Sequence, residues 1–97
     1  ATWPTLTTHA HNLPLDSGVS VLRVSSNGLY NVTGIQGGAD GRVVYLLNVG
    51  INNIQLPPGD TNSQPANRFG FNSVRTVFPG EGVQLYYSAT TSRWHAM

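Results

Sequence analysis

The 97 residues of the chain are enough for one domain with one hydrophobic core, and their composition excludes several classes of protein. The net charge is only +1 and the five arginines are spread along the chain, so the basic patch of a nucleic-acid-binding protein is missing. The longest apolar run, Val43 to Leu47, is far too short to be inserted across a membrane. Without cysteine, neither a disulfide nor a thiolate metal site can stabilise the fold.

The scarcity of charge indicates a subunit of an assembly. Charged residues make up 9% of the chain, against about 25% in ordinary soluble domains. The chain has no lysine, and arginine is the cation that better tolerates burial in interfaces. A single core of this size also leaves a lone monomer only marginally stable. We therefore expect self-association.

The N-terminal arm, residues 1–17, is predicted to lack a strand partner in its own domain. Pro4 and Pro14 interrupt ladder pairing, because proline has no amide hydrogen to donate. Trp3 and Leu6 would then be apolar residues in an exposed arm, which makes most sense if they dock on another chain. We predict that Trp3, Pro4 and Leu6 contribute to a partner interface.

Residues 18–97 are predicted to form one β domain, since helical periodicity is absent. Val19 to Val24 and Leu29 to Ile35 are expected to form a hairpin through a type I′ turn at Asn27-Gly28. Arg42 to Val49 is the most apolar segment, and we expect a central strand that is buried on both faces.

Further strands are predicted at Asn52 to Leu56, Asn67 to Phe71, Ser73 to Phe78, Val83 to Ser88 and Arg93 to Ala96. Turn residues separate them, including Pro57-Pro58-Gly59-Asp60 and Pro79-Gly80. A total of about eight short antiparallel strands is typical of an all-β, jelly-roll-like sandwich.

No combination of side chains indicates catalysis. The carboxylates Asp16, Asp40, Asp60 and Glu81 lie beside glycines or in turns, where they usually cap backbone N–H groups. No serine has a neighbouring general base or lies in a nucleophile elbow. We predict a non-enzymatic protein without catalytic residues or a cofactor.

His9 and His11 form an H-x-H pair, which by itself is a weak signal for a metal site. We interpret them as two solvated histidines in the arm and predict no metal site. An ion site built from histidines around a trimer axis stays open as an alternative.

Several short motifs follow one another over most of the chain, from Val21 to Trp94. They are Thr33-Gly34-Ile35, Gly38-Ala39-Asp40-Gly41-Arg42, Tyr45-Leu46-Leu47-Asn48-Val49-Gly50, Ala66-Asn67-Arg68-Phe69, Pro79-Gly80, Leu85-Tyr86-Tyr87 and Thr90 to Trp94. This ordered series resembles a family of small domains in bacteriophage virion proteins. The resemblance implies a trimeric jelly roll, found as a capsid decoration (cement) protein or as the terminal domain of a tail fibre or spike.

The resemblance also implies structural roles for the motif residues. Glycines would serve turns, asparagines would bind backbone groups, and Arg68 and Arg93 would make ion pairs or interface contacts. The set is Gly34, Gly38, Gly41, Arg42, Asn48, Gly50, Asn67, Phe69 and Trp94. Ser88 departs from the family pattern, which usually has Asp before the Ala-Thr-Thr turn, and this puts one local cap in doubt.

We therefore predict a non-enzymatic virion structural protein, a homotrimeric capsid decoration protein on the outer surface of a phage particle. Its expected partners are other copies of the chain and the major capsid protein or other phage structural proteins. Two alternatives stay open. One is the receptor-binding terminal domain of a tail fibre or spike, with a host-surface glycan or protein as its partner. The other is a carbohydrate-binding module that uses exposed aromatic rings.

Overall fold

The computed structural model describes residues 1–96, which form two β-sheets packed around one core. The all-β fold class predicted from the sequence is confirmed, with seven strands and one short 3₁₀ helix in place of eight strands. The elements are β1 Val21–Val24, β2 Tyr30–Asn31, β3 Val43–Asn48, β4 Ile54–Leu56, the 3₁₀ helix Pro65–Asn67, β5 Arg75–Val77, β6 Gly82–Ser88 and β7 Arg93–Ala96.

Strands that are not consecutive in sequence lie side by side in both sheets. The larger sheet has the order β1-β3-β6-β7 and the smaller one the order β2-β4-β5. The pairs β3–β6, β6–β7 and β4–β5 are antiparallel, whereas β1–β3 and β2–β4 are parallel. The prediction of antiparallel pairing is therefore wrong for two of the pairs.

The predicted hairpin at Asn27-Gly28 is wrong as well, and the backbone shows why. A type I′ turn needs positive φ at both central residues, and neither Asn27 nor Gly28 has it. The Asn27 amide instead donates to the Leu6 carbonyl at 3.0 Å. The arm thus occupies the position beside β1, and the chain crosses from the larger sheet to the smaller one after this strand.

The core is formed by the inward faces of both sheets. Along β3, Val44 and Leu46 are buried, whereas Tyr45 between them is 43% exposed. This strand is central in its sheet but buried on one face only, because no layer of residues 1–96 covers the outer face at Tyr45. Trp94 and Phe69 are the largest fully buried side chains, and the Trp94 indole N–H donates to the Ile35 carbonyl at 2.8 Å.

The N-terminal arm belongs to the same domain, so the prediction that it has no partner there is wrong. Parallel bridges join the arm to residues 23–35 at Thr2–Arg23, Leu6–Ser26, Ala10–Val32 and Leu13–Ile35. Leu6, Leu13 and Leu15 are buried in the common core. The bridges are single and widely spaced, and Pro4 lies between two of them. The arm consequently shows no strand periodicity in its sequence although it is paired.

The strand predicted from Asn67 to Phe71 is replaced by the 3₁₀ helix and isolated bridges. Proline at the first helical position, Pro65, has the backbone angle that a helical turn requires. Arg68 then bridges Gly34, and Phe69 bridges both Pro58 and Trp94. This segment links the two sheets and does not extend either of them.

Candidate functional site

The two histidines of the arm make hydrogen-bonding contacts with different residues of the segment from Asn31 to Thr33. His9 Nδ1 accepts the Asn31 amide at 2.9 Å, and the His9 ring packs edge-on against Tyr30. His11 Nδ1 lies 2.7 Å from Thr33 Oγ1. Within residues 1–96, no group of three His, Asp or Glu side chains is close enough to hold a metal ion.

A buried hydroxyl cluster joins His11, Thr33 and Ser63. Thr33 Oγ1 lies 2.7 Å from Ser63 Oγ, which also accepts the Asn12 amide at 3.0 Å. Thr33 is 1% exposed and Ser63 2% exposed, and the histidine contacts Thr33, not Ser63. Because Ser63 is inaccessible and has no direct base, the cluster serves to join the arm to two distant segments. Sequence inspection missed it because its members are far apart along the chain.

Two of the four carboxylates cap backbone amides, and only Asp60 caps a local one. Asp40 Oδ1 accepts the Ala89 amide at 2.9 Å, and Asp60 Oδ1 accepts the Asn62 amide at 2.8 Å. Asp40 reaches Ala89 from a distant loop. Asp16 and Glu81 are exposed.

Three motif arginines bind carbonyl oxygens of the chain's own loops. Arg42 donates to the carbonyls of Asp16, Val19 and Gly37, Arg68 to that of Ser63, and Arg93 to those of Pro65 and Ser92. Arg68 and Arg93 therefore hold the segment around Ser63 to Pro65 in place. For Arg68 and Arg93, ion pairs or interface contacts were predicted. In the structure their guanidinium groups donate to carbonyl oxygens of the same chain.

Asn48 makes three side-chain hydrogen bonds, as many as Arg42. Its Nδ2 donates to the Asn52 carbonyl at 2.7 Å and to the Val77 carbonyl at 2.9 Å, while its Oδ1 accepts the Gly50 amide at 3.0 Å. Asn67 differs from the prediction, because its Nδ2 donates to a side-chain oxygen, Asn12 Oδ1, at 2.8 Å.

The motif glycines lie where the chain turns or where segments come into close contact. Gly41 has a φ of +81°, and the backbone at Gly34, Gly38 and Gly50 lies against Ser63, the Tyr87 ring and Ser25, respectively.

Four large apolar side chains are exposed on neighbouring loops. Leu29 is 60% exposed, Val49 54%, Ile51 88% and Phe78 50%. Hydrogen bonds connect these loops, since Asn52 Nδ2 donates to the Ser26 carbonyl and Asn48 Nδ2 to the Val77 carbonyl. We call these four side chains the apolar end. Exposed apolar side chains grouped on neighbouring loops are a candidate contact surface.

The interface residues predicted in the arm are largely occupied within the protomer. Leu6 is 7% exposed, and Trp3 is partly buried against the same core. Pro4 is exposed. Leu6 cannot make the predicted contact with a partner in this conformation, because its side chain already packs inside its own domain.

Comparison with known proteins finds no match: no protein-family model, curated protein or solved structure is similar to this chain. No helix in residues 1–96 is long and apolar enough to cross a membrane. The arrangement of the chain's own surfaces therefore has to carry any statement about function.

Proposed function

We propose that the chain is a non-enzymatic structural protein of a bacteriophage virion, a homotrimeric capsid decoration protein on the outside of the particle. The apolar end supports the assembly part of this proposal. Ile51 is its most exposed side chain, at 88%. Full burial of such a side chain contributes roughly 1.5–3 kcal/mol. Contacts of this size, repeated in each copy, would add the stability that one small core lacks. The phage context rests on the ordered motifs from Val21 to Trp94.

The outer face of the larger sheet supports assembly as well. The strand register places Val21, Tyr45 and Gln84 in one row of this face and Arg23, Leu47 and Gly82 in the next. Neither row contains a carboxylate or a lysine. Arg23 is the one charged residue of these two rows, and a face with so little charge is suited to contact with identical copies.

A second candidate function, the terminal domain of a tail fibre or spike, is favoured by the arm. Because the arm pairs with residues 23–35 of its own domain, it is not available to hold a capsid shell. A decoration protein of this fold would have to attach through the apolar end or the outer sheet face. A fibre domain would need these surfaces for trimer contacts only.

The proposal can be tested with gold-labelled antibodies raised against the folded domain. The antibodies are applied to intact particles of a phage that encodes the chain. Label distributed over the capsid is the expected result. Label confined to the tail would replace decoration with the fibre function. Particles from which the gene has been deleted serve as the control. Intact particles without label, when the chain is present only in the soluble lysate, would contradict a virion role altogether.

A further inference from the structure

A cleft beside the last strand combines aromatic, cationic and neutral polar side chains. Its volume is about 300 Å³, and its lining is Gly70, Phe71, Asn72, Ser73, Val74, Arg75, Tyr86, His95 and Ala96. We propose that this cleft binds a sugar residue that carries a carboxylate group. The proposal is independent of the virion role, since it rests on the cleft alone.

The charge of the cleft favours an anionic ligand. Arg75, at the start of β5, is the only arginine or lysine in the lining, and no aspartate or glutamate faces it there. The Arg75 side chain is exposed, in contrast to the partly buried Arg42, Arg68 and Arg93 that bind loop carbonyls. A guanidinium group matches the two oxygens of a carboxylate in a bidentate arrangement. Arg75 is therefore the residue that would recognise the acid group.

The aromatic walls of the cleft are held in place before any ligand arrives. Phe71 stacks on the buried Phe69 with ring centroids 5.0 Å apart and an interplanar angle of 16°. The Tyr86 and His95 rings stack with centroids 5.3 Å apart, and His95 Nε2 lies 2.7 Å from Thr91 Oγ1. Walls that are already ordered lower the entropic cost of binding.

Gly70 shapes the cleft where the loop meets the last strand. A β-carbon at this position would lie only 2.7 Å from His95 Cε1 and 3.1 Å from Arg93 Cβ. Glycine thus permits the loop to lie against the imidazole ring. Asn72 and Ser73, which follow in the same loop, add hydrogen-bonding groups to the lining of the cleft.

The size and lining of the cleft together favour a sugar. A volume near 300 Å³ is at the small end of ligand sites, which limits the occupant to about one or two rings. A pyranose offers apolar C–H faces for aromatic walls and hydroxyl groups for amide and hydroxyl side chains. A simple inorganic anion would use Arg75 but would gain nothing from Phe71 or Tyr86.

The proposal can be tested by titrating the folded chain with a disaccharide that contains glucuronic acid. Amide NMR shifts are recorded during the titration. We expect saturable shifts confined to residues around the cleft. The Arg75→Gln variant should weaken binding about tenfold or more, because charge-assisted hydrogen bonds to the acid group are lost. Arg75→Lys keeps the positive charge but not the bidentate guanidinium group, and it should give an intermediate loss of affinity. Arg23→Gln, at an exposed arginine outside the cleft, is the matched control and should change the affinity less than about twofold.

Two further titrants separate sugar recognition from simpler binding. Equal affinity for the matching glucose disaccharide would overturn the role of the carboxylate, and equal affinity for acetate would overturn the role of the sugar ring. Absence of saturable shifts, or unchanged affinity in a folded Arg75→Gln variant, would overturn the site itself.

Discussion

Asn48 illustrates how one buried polar side chain can fix the surface around it. It is 1% exposed, and its three side-chain hydrogen bonds go to backbone groups of the loop after β3 and to the carbonyl of Val77, the residue before the loop that follows β5. Those loops carry Val49, Ile51 and Phe78 of the apolar end. The position of the exposed apolar side chains thus depends on a residue that is itself buried.

Replacing Asn48 with alanine should lower the free energy of unfolding by about 2–4 kcal/mol, since buried carbonyl and amide groups lose their partners. Urea denaturation measures this loss. Asn62→Ala is the control, because Asn62 is exposed and should change stability by less than about 0.5 kcal/mol. A loss in Asn48→Ala as small as in the control would show that the loops do not depend on this amide.

The Thr33–Ser63 contact can be measured with a double-mutant cycle of Thr33→Val and Ser63→Ala. The two hydroxyls are buried and 2.7 Å apart, so we expect a coupling of about 1 kcal/mol or more in the free energy of unfolding. The exposed Thr5–Ser25 hydroxyl pair, 3.2 Å apart, provides the comparison through Thr5→Val and Ser25→Ala. Its coupling should be near zero. Additive effects at Thr33 and Ser63 would contradict a structural role for the cluster.

Among the larger elements, the N-terminal arm differs most from what its sequence predicts. Its backbone pairs with four positions between Arg23 and Ile35, and its leucines complete the core. The arm therefore contributes to the stability of the domain, in contrast to its predicted role in attachment to another chain.

Leu6→Ala should lower the free energy of unfolding by about 2–4 kcal/mol, as expected for truncation of a buried leucine. Thr7→Ala, at the next and exposed position, is the control and should have little effect. Thermal unfolding of both variants checks the difference. If Leu6→Ala leaves stability unchanged and reduces only attachment to particles, the arm acts on a partner after all.

Three strands were predicted close to their observed bounds, from an apolar segment, an alternating one and the last predicted strand. Arg42 to Val49 and Val83 to Ser88 were predicted within one residue of β3 and β6, and Arg93 to Ala96 coincides with β7. The parallel pairing of β1 with β3 and of β2 with β4 was not predictable. It is decided by strands that are distant in sequence and not by the local turn residues at Asn27-Gly28. Sequence position likewise gave no indication that Arg75, at the start of β5, would line the same cleft as His95.

For the molecule as a whole, low charge and the apolar end point to the same behaviour. A chain with only 9% charged residues repels its neighbours weakly, and the exposed side chains of the apolar end favour contact between copies. Replacing Ile51 with glutamate should weaken assembly without unfolding the protomer, because its side chain is 88% exposed. Circular dichroism checks that the fold is kept.

Sedimentation equilibrium of the wild-type chain and of Ile51→Glu, at micromolar concentration, tests assembly through the apolar end most directly. We expect the wild-type chain to sediment at three times its mass of 10.4 kDa and the folded variant to shift towards the monomer mass. A wild-type chain that sediments as a monomer, or a variant that keeps the trimer mass, would contradict assembly through this surface.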